Sequence, residues 1–463
     1  MKNAFKERLF NKSVTVMGLG TFGGGIGAAK FAAENGANVT VTDLKTEQEL
    51  SQSVSKLEGL GISFVLGRHD MSDFTGADIV VASPAVPIES KYLAAAAESG
   101  AELTTEISLF VEFCPSLICG ITGSNGKTTT VSMIRSILEH SGRNFRIGGN
   151  IGGSLLSDLP EMTSDDIVVL ELSSFQLEWL DKIKWSPNIA AVLNLTPNHI
   201  DRHGSLEKYS EAKRVIIKYQ KTADTAVLVF DDPGAKSFED SVSGKCVRIG
   251  AHLESDGITL ENEWIAERSG MSFKRIFNTN DLLIPGKHNI LNAMTAVACV
   301  KIMEIDNSII SKGLGAFNGI THRLEFICEN NGVKFYNDSK ATTPEAASAA
   351  VKAFGSNVIP IFGGYDKGVE FDAMAGEIAD TIQWAAVIGV TAEKISGALS
   401  KEGIASANYS SLAEALAGCI ARAHTGDIIL LSPGCASYDM FSDYEKRGEI
   451  FKSLVREHCG NSE

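Results

Sequence analysis

The sequence predicts an α/β protein of about three domains, and three observations predict it. The chain has 463 residues, against roughly 150 for a typical domain. Short apolar runs alternate with helix-like stretches nearly throughout, as in parallel sheets covered by helices on both faces. Two of those runs lead into glycine-rich turns that open a helix, the layout of a phosphate site at a helix N-terminus.

The strand-like runs come in order. Ser13–Met17, Asn38–Thr42 and Ile79–Ala82 lie in the first third. Leu117–Ile121, Ile167–Leu170, Ile189–Leu193 and Ala226–Phe230 follow. Val333–Tyr336, Val358–Phe362, Ala385–Ile388 and Ile428–Leu431 complete the series. No short repeat or low-complexity linker marks a boundary, so the motifs must place the domains.

Composition narrows the function. With 44% hydrophobic and 21% charged residues, the chain is an ordinary soluble protein with real cores. A formal net charge of -15 repels nucleic acids and anionic membranes, so phosphorylated ligands need local backbone nests and a few cations. The eight Cys show no CxxC pair and no zinc spacing, which reads as a reduced, cytoplasmic protein. Met1–Phe10 lacks the apolar core of a signal peptide. No apolar stretch reaches the roughly 18 residues of a membrane span.

The first motif is Gly18-Leu19-Gly20-Thr21-Phe22-Gly23, between the strand Ser13–Met17 and a helix-like stretch through Ala33. A second strand leads to Asp43. This is the context of a dinucleotide fingerprint, in which glycines admit a pyrophosphate and the acid meets a ribose. A tight turn needing glycine only for packing is the rival, and Gly24, Gly25 and Gly27 loosen the pattern.

The second motif is Gly123-Ser124-Asn125-Gly126-Lys127-Thr128-Thr129, after Leu117–Ile121 and before a helix through Leu138. Backbone N–H groups would face phosphates, Lys127 would meet the β- and γ-oxygens, and the Thr128 hydroxyl would bind Mg²⁺. The spacing departs from GxxxxGK[ST], because Ile121 stands five residues before Gly126. Two phosphate sites suit a ligase, with one nucleotide as substrate handle and one as energy source.

Glu171, at the end of Ile167–Leu170, sits where ligands bind in open α/β sheets. His199, in Asn194–His203, follows Ile189–Leu193. Alone it reads as a loop histidine; beside Glu171 and Thr128 it reads as a metal ligand, although Mg²⁺ prefers oxygen.

These segments resemble the Mur ligase family. TGSNGKTT, ELSSFQLE, LTPNHIDRH, YSEAK (209–213), PGKHNILNA (285–293), THRLE (321–325), NDSKAT (337–342) and LLSPGCASYDMFSDYEKRG (430–448) occur in family order over nearly the whole chain. ELSSFQLE, NDSKAT and SPGCAS are most similar to the branch that adds D-glutamate.

The resemblance implies a Rossmann-like UDP-binding domain at 1–106, a central ATPase at 107–320 and a Rossmann-like amino-acid domain at 321–463 that closes over the site. It gives Leu19, Thr21, Asp43, Ser83 and Asn150 to the UDP-linked substrate. Gly123, Asn125, Gly126, Lys127, Thr128, Thr129, Asn289, Asn292, Arg323 and Asp338 go to ATP, though Asn289 and Asn292 also suit helix capping. Thr128, Glu171, His199 and Lys213 would hold two Mg²⁺, with Lys213 as a carbamate. Lys127, His199 and Lys213 are the catalytic set. Without the motif, Lys213 reads as a solvated lysine on an amphipathic helix. Lys340, Thr342, Lys367, Ser437 and Tyr444 would form the D-glutamate pocket.

Two positions depart from the family. Ala85 replaces a glycine in SPAVP, which matters if φ is positive there. Tyr444 replaces Phe, and its hydroxyl needs a partner. The implied reaction joins D-glutamate to UDP-N-acetylmuramoyl-L-alanine through an acyl phosphate, in a monomeric enzyme. Another Mur ligase specificity, an NAD-dependent oxidoreductase and a non-catalytic nucleotide-binding regulator are the alternatives.

Overall fold

The computed structural model describes residues 2–20 and 23–460; Thr21 lies outside them. The first sheet contains β1 (Ser13–Met17), β2 (Asn38–Asp43), β3 (Ser63–Leu66), β4 (Ile79–Ala82) and β5 (Glu102–Thr104), in the order β3-β2-β1-β4-β5. Its pairings are parallel. The second contains β6 (Leu117–Thr122), β7 (Phe145–Gly149), β8 (Ile167–Glu171), β9 (Ile189–Val192), β10 (Thr225–Val229), β11 (Lys245–Ile249), β12 (Gly257–Glu261), β13 (Trp264–Ser269) and β14 (Ser272–Asn278). Its order is β14-β13-β12-β11-β10-β9-β6-β8-β7. The third contains β15 (Glu325–Asn330), β16 (Val333–Asn337), β17 (Val358–Gly363), β18 (Trp384–Ile388), β19 (Ala405–Tyr409) and β20 (Ile428–Leu431), in the order β15-β16-β20-β17-β18-β19.

The parallel expectation holds for the inner strands. It fails where a hairpin joins neighbours: β12 and β13 pair antiparallel, as do β15 and β16. A two-residue turn, 262–263 in one and 331–332 in the other, permits only that geometry, since a parallel return needs a crossover.

The chain divides into two compact units. The first spans Met1–Phe277 and Leu291–Gly313 and holds the first two sheets. Within it Trp179, from the helix Ser174–Lys182, packs into an apolar cluster with Met17, Phe74, Val80 and Leu93. The second unit spans Asn278–Ile290 and Leu314–Glu463. Its cores lie on the two faces of the third sheet.

The sulfurs of Cys328 and Cys459 meet in the second unit. They lie 131 residues apart, and no CxxC-like spacing marks such a pair. The other six cysteines are free. No described helix is long and apolar enough to cross a membrane.

Candidate functional site

In the first unit the phosphate loop leaves β6 and enters the helix Lys127–Glu139. Gly126 caps that helix at φ 85°, a conformation that favours glycine. A Cβ there would also strike the side-chain oxygen of Asn292. Behind the loop, Val131, Ile134 and Leu138 bury one helix face. In front, Asn194 locks it: its side chain accepts from the Asn125 N–H at 2.8 Å and donates to the Asn125 carbonyl at 3.1 Å. The Ser124 hydroxyl accepts from the Thr196 N–H at 2.9 Å. Lys127 Nζ donates to the Gly123 and Ser124 carbonyls at 2.8 and 3.0 Å. Burial lowers its pKa, against the pull of Glu171.

Glu171 ends β8 and is 2% exposed. Thr128 Oγ1 donates to one of its oxygens at 2.7 Å and Asn150 Nδ2 to the other at 2.9 Å. Asn150 can approach because Gly149 precedes it; a Cβ at Gly149 would collide with the Glu171 carbonyl oxygen. The structure thus brings Thr128, Glu171 and Asn150 together.

Lys213 reaches the start of the same loop. The helix Leu206–Lys218 starts on Ser205, whose hydroxyl accepts from the Lys208 N–H at 3.3 Å. Tyr209, Ala212, Lys213 and Ile216 are buried along one face. Lys213 is 1% exposed, so the picture of a solvated helix lysine is corrected. Its Nζ donates to Thr122 Oγ1 at 3.2 Å and to the Gly123 carbonyl at 3.0 Å. Burial, then the neighbouring Lys127 charge, lowers its pKa to about 7. Polar residues flank it in YSEAK, and the i, i+3, i+7 burial shows only once Tyr209 and Ile216 are counted as core.

His199 stands exposed at φ 52°, with its ring 5.1 Å from Phe175. Among the described residues no group of three or more His, Cys, Asp or Glu converges to hold a metal. The oxygens of Thr128 and Glu171 are hard donors suited to Mg²⁺. The Lys213 amine, as an ammonium, offers no lone pair to a cation.

A cavity of about 970 Å³ opens beside this cluster, within the same unit. Leu19, Asp43, Ser83 and Asn150 all line it, so four of the five residues assigned to the UDP-linked substrate share one space. Gly18, at φ 91°, must be glycine: a Cβ would press on Ser83 at 2.9 Å. Asp43 accepts from the N–H groups of Gly20 and Lys45 at 3.1 and 2.9 Å, shaping the turn as well as facing the cavity. Ala85 is not among the described non-glycine residues with positive φ, so alanine fits without strain.

Sequence reasoning missed His69, Tyr92, Glu106, Phe175 and Gln176 in the cavity wall. Burial pushes the Glu106 carboxyl up to about 7, and the Ser154 hydroxyl donates to it at 2.5 Å. Gln176 carried a signal: Ser173 and Gln176 form a capping box, which S-x-x-Q before an apolar run announces.

In the second unit Asp338 is 5% exposed. It accepts from the Leu324 N–H at 3.2 Å and the Ser432 hydroxyl at 2.8 Å. Burial raises its pKa to about 7, and Arg323 opposes the rise. Arg323, Lys340 and Lys367 are exposed, Thr342 is half-buried and Ser437 is buried. Lys340 Nζ lies 5.7 Å from the Tyr444 ring centre, and the Tyr444 hydroxyl finds its partner in Glu445 at 3.1 Å. Asn289 Nδ2 donates to the Pro285 carbonyl at 2.6 Å, so its side chain secures the start of its helix.

Arg447, also missed, is fully buried. It donates to Ser339 Oγ and to the carbonyls of Ser339, Cys435 and Ala436 at 2.8 to 3.3 Å. It thereby ties the Asn337–Thr342 segment to the loop carrying Ser437.

Relatives carry the same organisation. Residues 12–105 match the model of the Mur ligase MurD-like N-terminal domain. Residues 121–300 match the Mur ligase middle domain, and 322–435 the Mur ligase glutamate ligase domain. The UDP-N-acetylmuramoylalanine--D-glutamate ligase of Acetivibrio thermocellus is 38% identical, over 98% of each chain. The enzyme of that name from Clostridium perfringens is 37% identical, again over 98% of each. The solved UDP-N-acetylmuramate-alanine ligase of Thermotoga maritima shares the fold, with a TM-score of 0.58 at 19% identity over 97% of this chain and 100% of that one. With three successive domain models and full-length relatives in agreement with the phosphate loop and its buried Glu171, the chain belongs to the Mur ligase family.

Proposed function

We infer that the chain is an ATP-dependent ligase joining D-glutamate to UDP-N-acetylmuramoyl-L-alanine in peptidoglycan precursor synthesis. The observation that carries this reading is identity of 36–38% over nearly the whole chain to relatives named for that reaction. Cytoplasmic residence, a monomeric state and domain boundaries near 106 and 320 belong to the same reading.

The alanyl carboxylate attacks the γ-phosphate of ATP, and ADP leaves. The amine of D-glutamate then attacks the acyl phosphate, and phosphate leaves. Lys127 meets the phosphate charge, and the loop N–H groups cradle it. Gly123, Asn125, Gly126, Thr129, Asn289, Asn292, Arg323 and Asp338 hold the rest of ATP. Thr128, Glu171, His199 and a carbamylated Lys213 would hold Mg²⁺, which would neutralise charge between the two anions. A lysine poised near neutrality supports the carbamate, since only the uncharged amine reacts with CO₂. Leu19, Thr21, Asp43, Ser83 and Asn150 hold the UDP-linked substrate.

Phosphate release that requires both D-glutamate and the UDP-linked substrate is the test. Release with either one alone, or preference for a diamino acid, would reject the assignment.

Lys340, Thr342, Lys367, Ser437 and Tyr444 form the amino-acid pocket in this reading. A charged hydrogen bond is worth about 1.5–3 kcal/mol, or roughly tenfold and upward in affinity. Lys367→Ala is therefore expected to raise KM for D-glutamate about tenfold, the low end because Lys367 is exposed, while KM for ATP stays within about twofold. Equal changes in both constants would remove Lys367 from the pocket.

A further inference from the structure

Arg202 sits in the short helix Ile200–His203, one turn past His199. Its guanidinium leaves its own segment. One terminal nitrogen donates to the Ala85 carbonyl at 3.0 Å and the other to the Val86 carbonyl at 3.2 Å. Its Cζ lies 5.1 Å from the Phe175 ring centre, over the ring. Ala85, Val86 and Phe175 all line the 970 Å³ cavity. The other end of the same segment is fastened to the phosphate loop through Asn194 and Thr196. One stretch of chain therefore grips the phosphate loop at its start and the Ser83–Pro87 turn at its end.

The chemistry suits a clamp. A planar guanidinium can serve two adjacent carbonyls at once and stack on an aromatic face. A lysine offers only a point charge. Within the Ser83–Pro87 turn the Val86 N–H donates to the Ser83 carbonyl at 2.9 Å, and its ends are held by Ser83 N–H on the Met17 carbonyl at 2.8 Å and by Ser90 N–H on the Pro87 carbonyl at 2.9 Å; Arg202 adds two attachments at the middle of the turn, on the Ala85 and Val86 carbonyls.

We propose that Arg202 is a positioning residue coupling the two nucleotide sites, holding the Ser83–Pro87 turn at the mouth of the substrate cavity in a setting linked to the phosphate loop. The proposal rests on the cavity being the seat of the uridine nucleotide. Coupling of this kind is reciprocal: a ligand on the phosphate loop tightens the cavity for UDP by the factor with which UDP tightens the loop.

The test is titration of the full chain with UDP, with and without a non-hydrolysable ATP analogue and Mg²⁺, in wild type, R202A and R202K. R202A is expected to bind UDP on the order of tenfold more weakly at unchanged Tm. The analogue should bind R202A within about twofold of wild type. The mutual enhancement, expected at about fivefold or more in wild type, should fall to one in R202A and partly return in R202K. Turnover should follow, with KM for the UDP-linked substrate rising more than kcat falls. Wild type and R202A binding UDP equally, with equal enhancement, would overturn this proposal alone. A wild-type chain that takes up no UDP would overturn the cavity assignment and this proposal with it.

Discussion

Lys213→Ala should stop phosphate release almost completely, and acetate or formate should restore part of it. The side chain is buried against Thr122 and the Gly123 carbonyl, beside the phosphate loop. A carbamate there contributes to charge stabilisation worth several kcal/mol. At about 1.4 kcal/mol per decade the loss is on the order of 10²–10⁴-fold. A small carboxylate can occupy the volume that alanine leaves and supply equivalent oxygens. The pH dependence has a definite sign. With a pKa of about 7 against 10.5 for a free lysine, the folded chain holds the neutral amine between those values while the unfolded chain holds the ammonium. The unfolded state binds more protons there, so this group makes stability rise with pH through that window. The reactive amine disappears as pH falls below about 7. A ¹³C carbamate signal under labelled CO₂ should therefore fade below neutrality and be missing from Lys213→Ala. Full activity of Lys213→Ala without any additive would reduce Lys213 to a packing residue.

Lys127→Ala should abolish ATP turnover while leaving Tm nearly unchanged. The lysine opens its helix and spends its Nζ on two loop carbonyls, so the core behind it, Val131, Ile134 and Leu138, is undisturbed by its loss. Removing one preorganised electrostatic group costs about 10²–10³-fold in kcat, and the loss of γ-phosphate contact adds to that. Phosphate-release assays alongside thermal melts separate chemistry from folding. A folded Lys127→Ala chain that releases phosphate at the wild-type rate would overturn the phosphate-loop assignment.

The inner strands were readable because they are buried on both faces. β1, β4 and β20 match the apolar runs Ser13–Met17, Ile79–Ala82 and Ile428–Leu431 residue for residue. The strands missed are edge or outer strands with half-exposed residues, such as β3, β15 and β19. Their apolar runs are short, three residues in SFVL and in EFICEN and broken by Ser and Asn in ASANY, and most of their residues are only half-buried. At the site, the phosphate loop and Glu171 were legible from local motifs. Lys213 as a buried group, and the reach of Arg202 and Arg447, were not. Those depend on contacts between segments far apart in sequence, and spacing within one segment does not encode them. The Cys328–Cys459 pair was hidden for the same reason.

Asp338 has a consequence for heats of binding. Its carboxyl is half protonated near pH 7 because burial raises it there. The folded chain thus holds a proton, between about pH 3.8 and 7, that an unfolded chain would release. The stability this lends is fully present at low pH and is lost as pH rises through 7. A ribose hydroxyl of ATP donating to this carboxyl would favour its ionised form and expel the proton into the medium. The calorimetric enthalpy of ATP binding at neutral pH should then vary linearly with the ionisation enthalpy of the buffer. The slope counts the proton released, and Asp338→Asn should flatten that line.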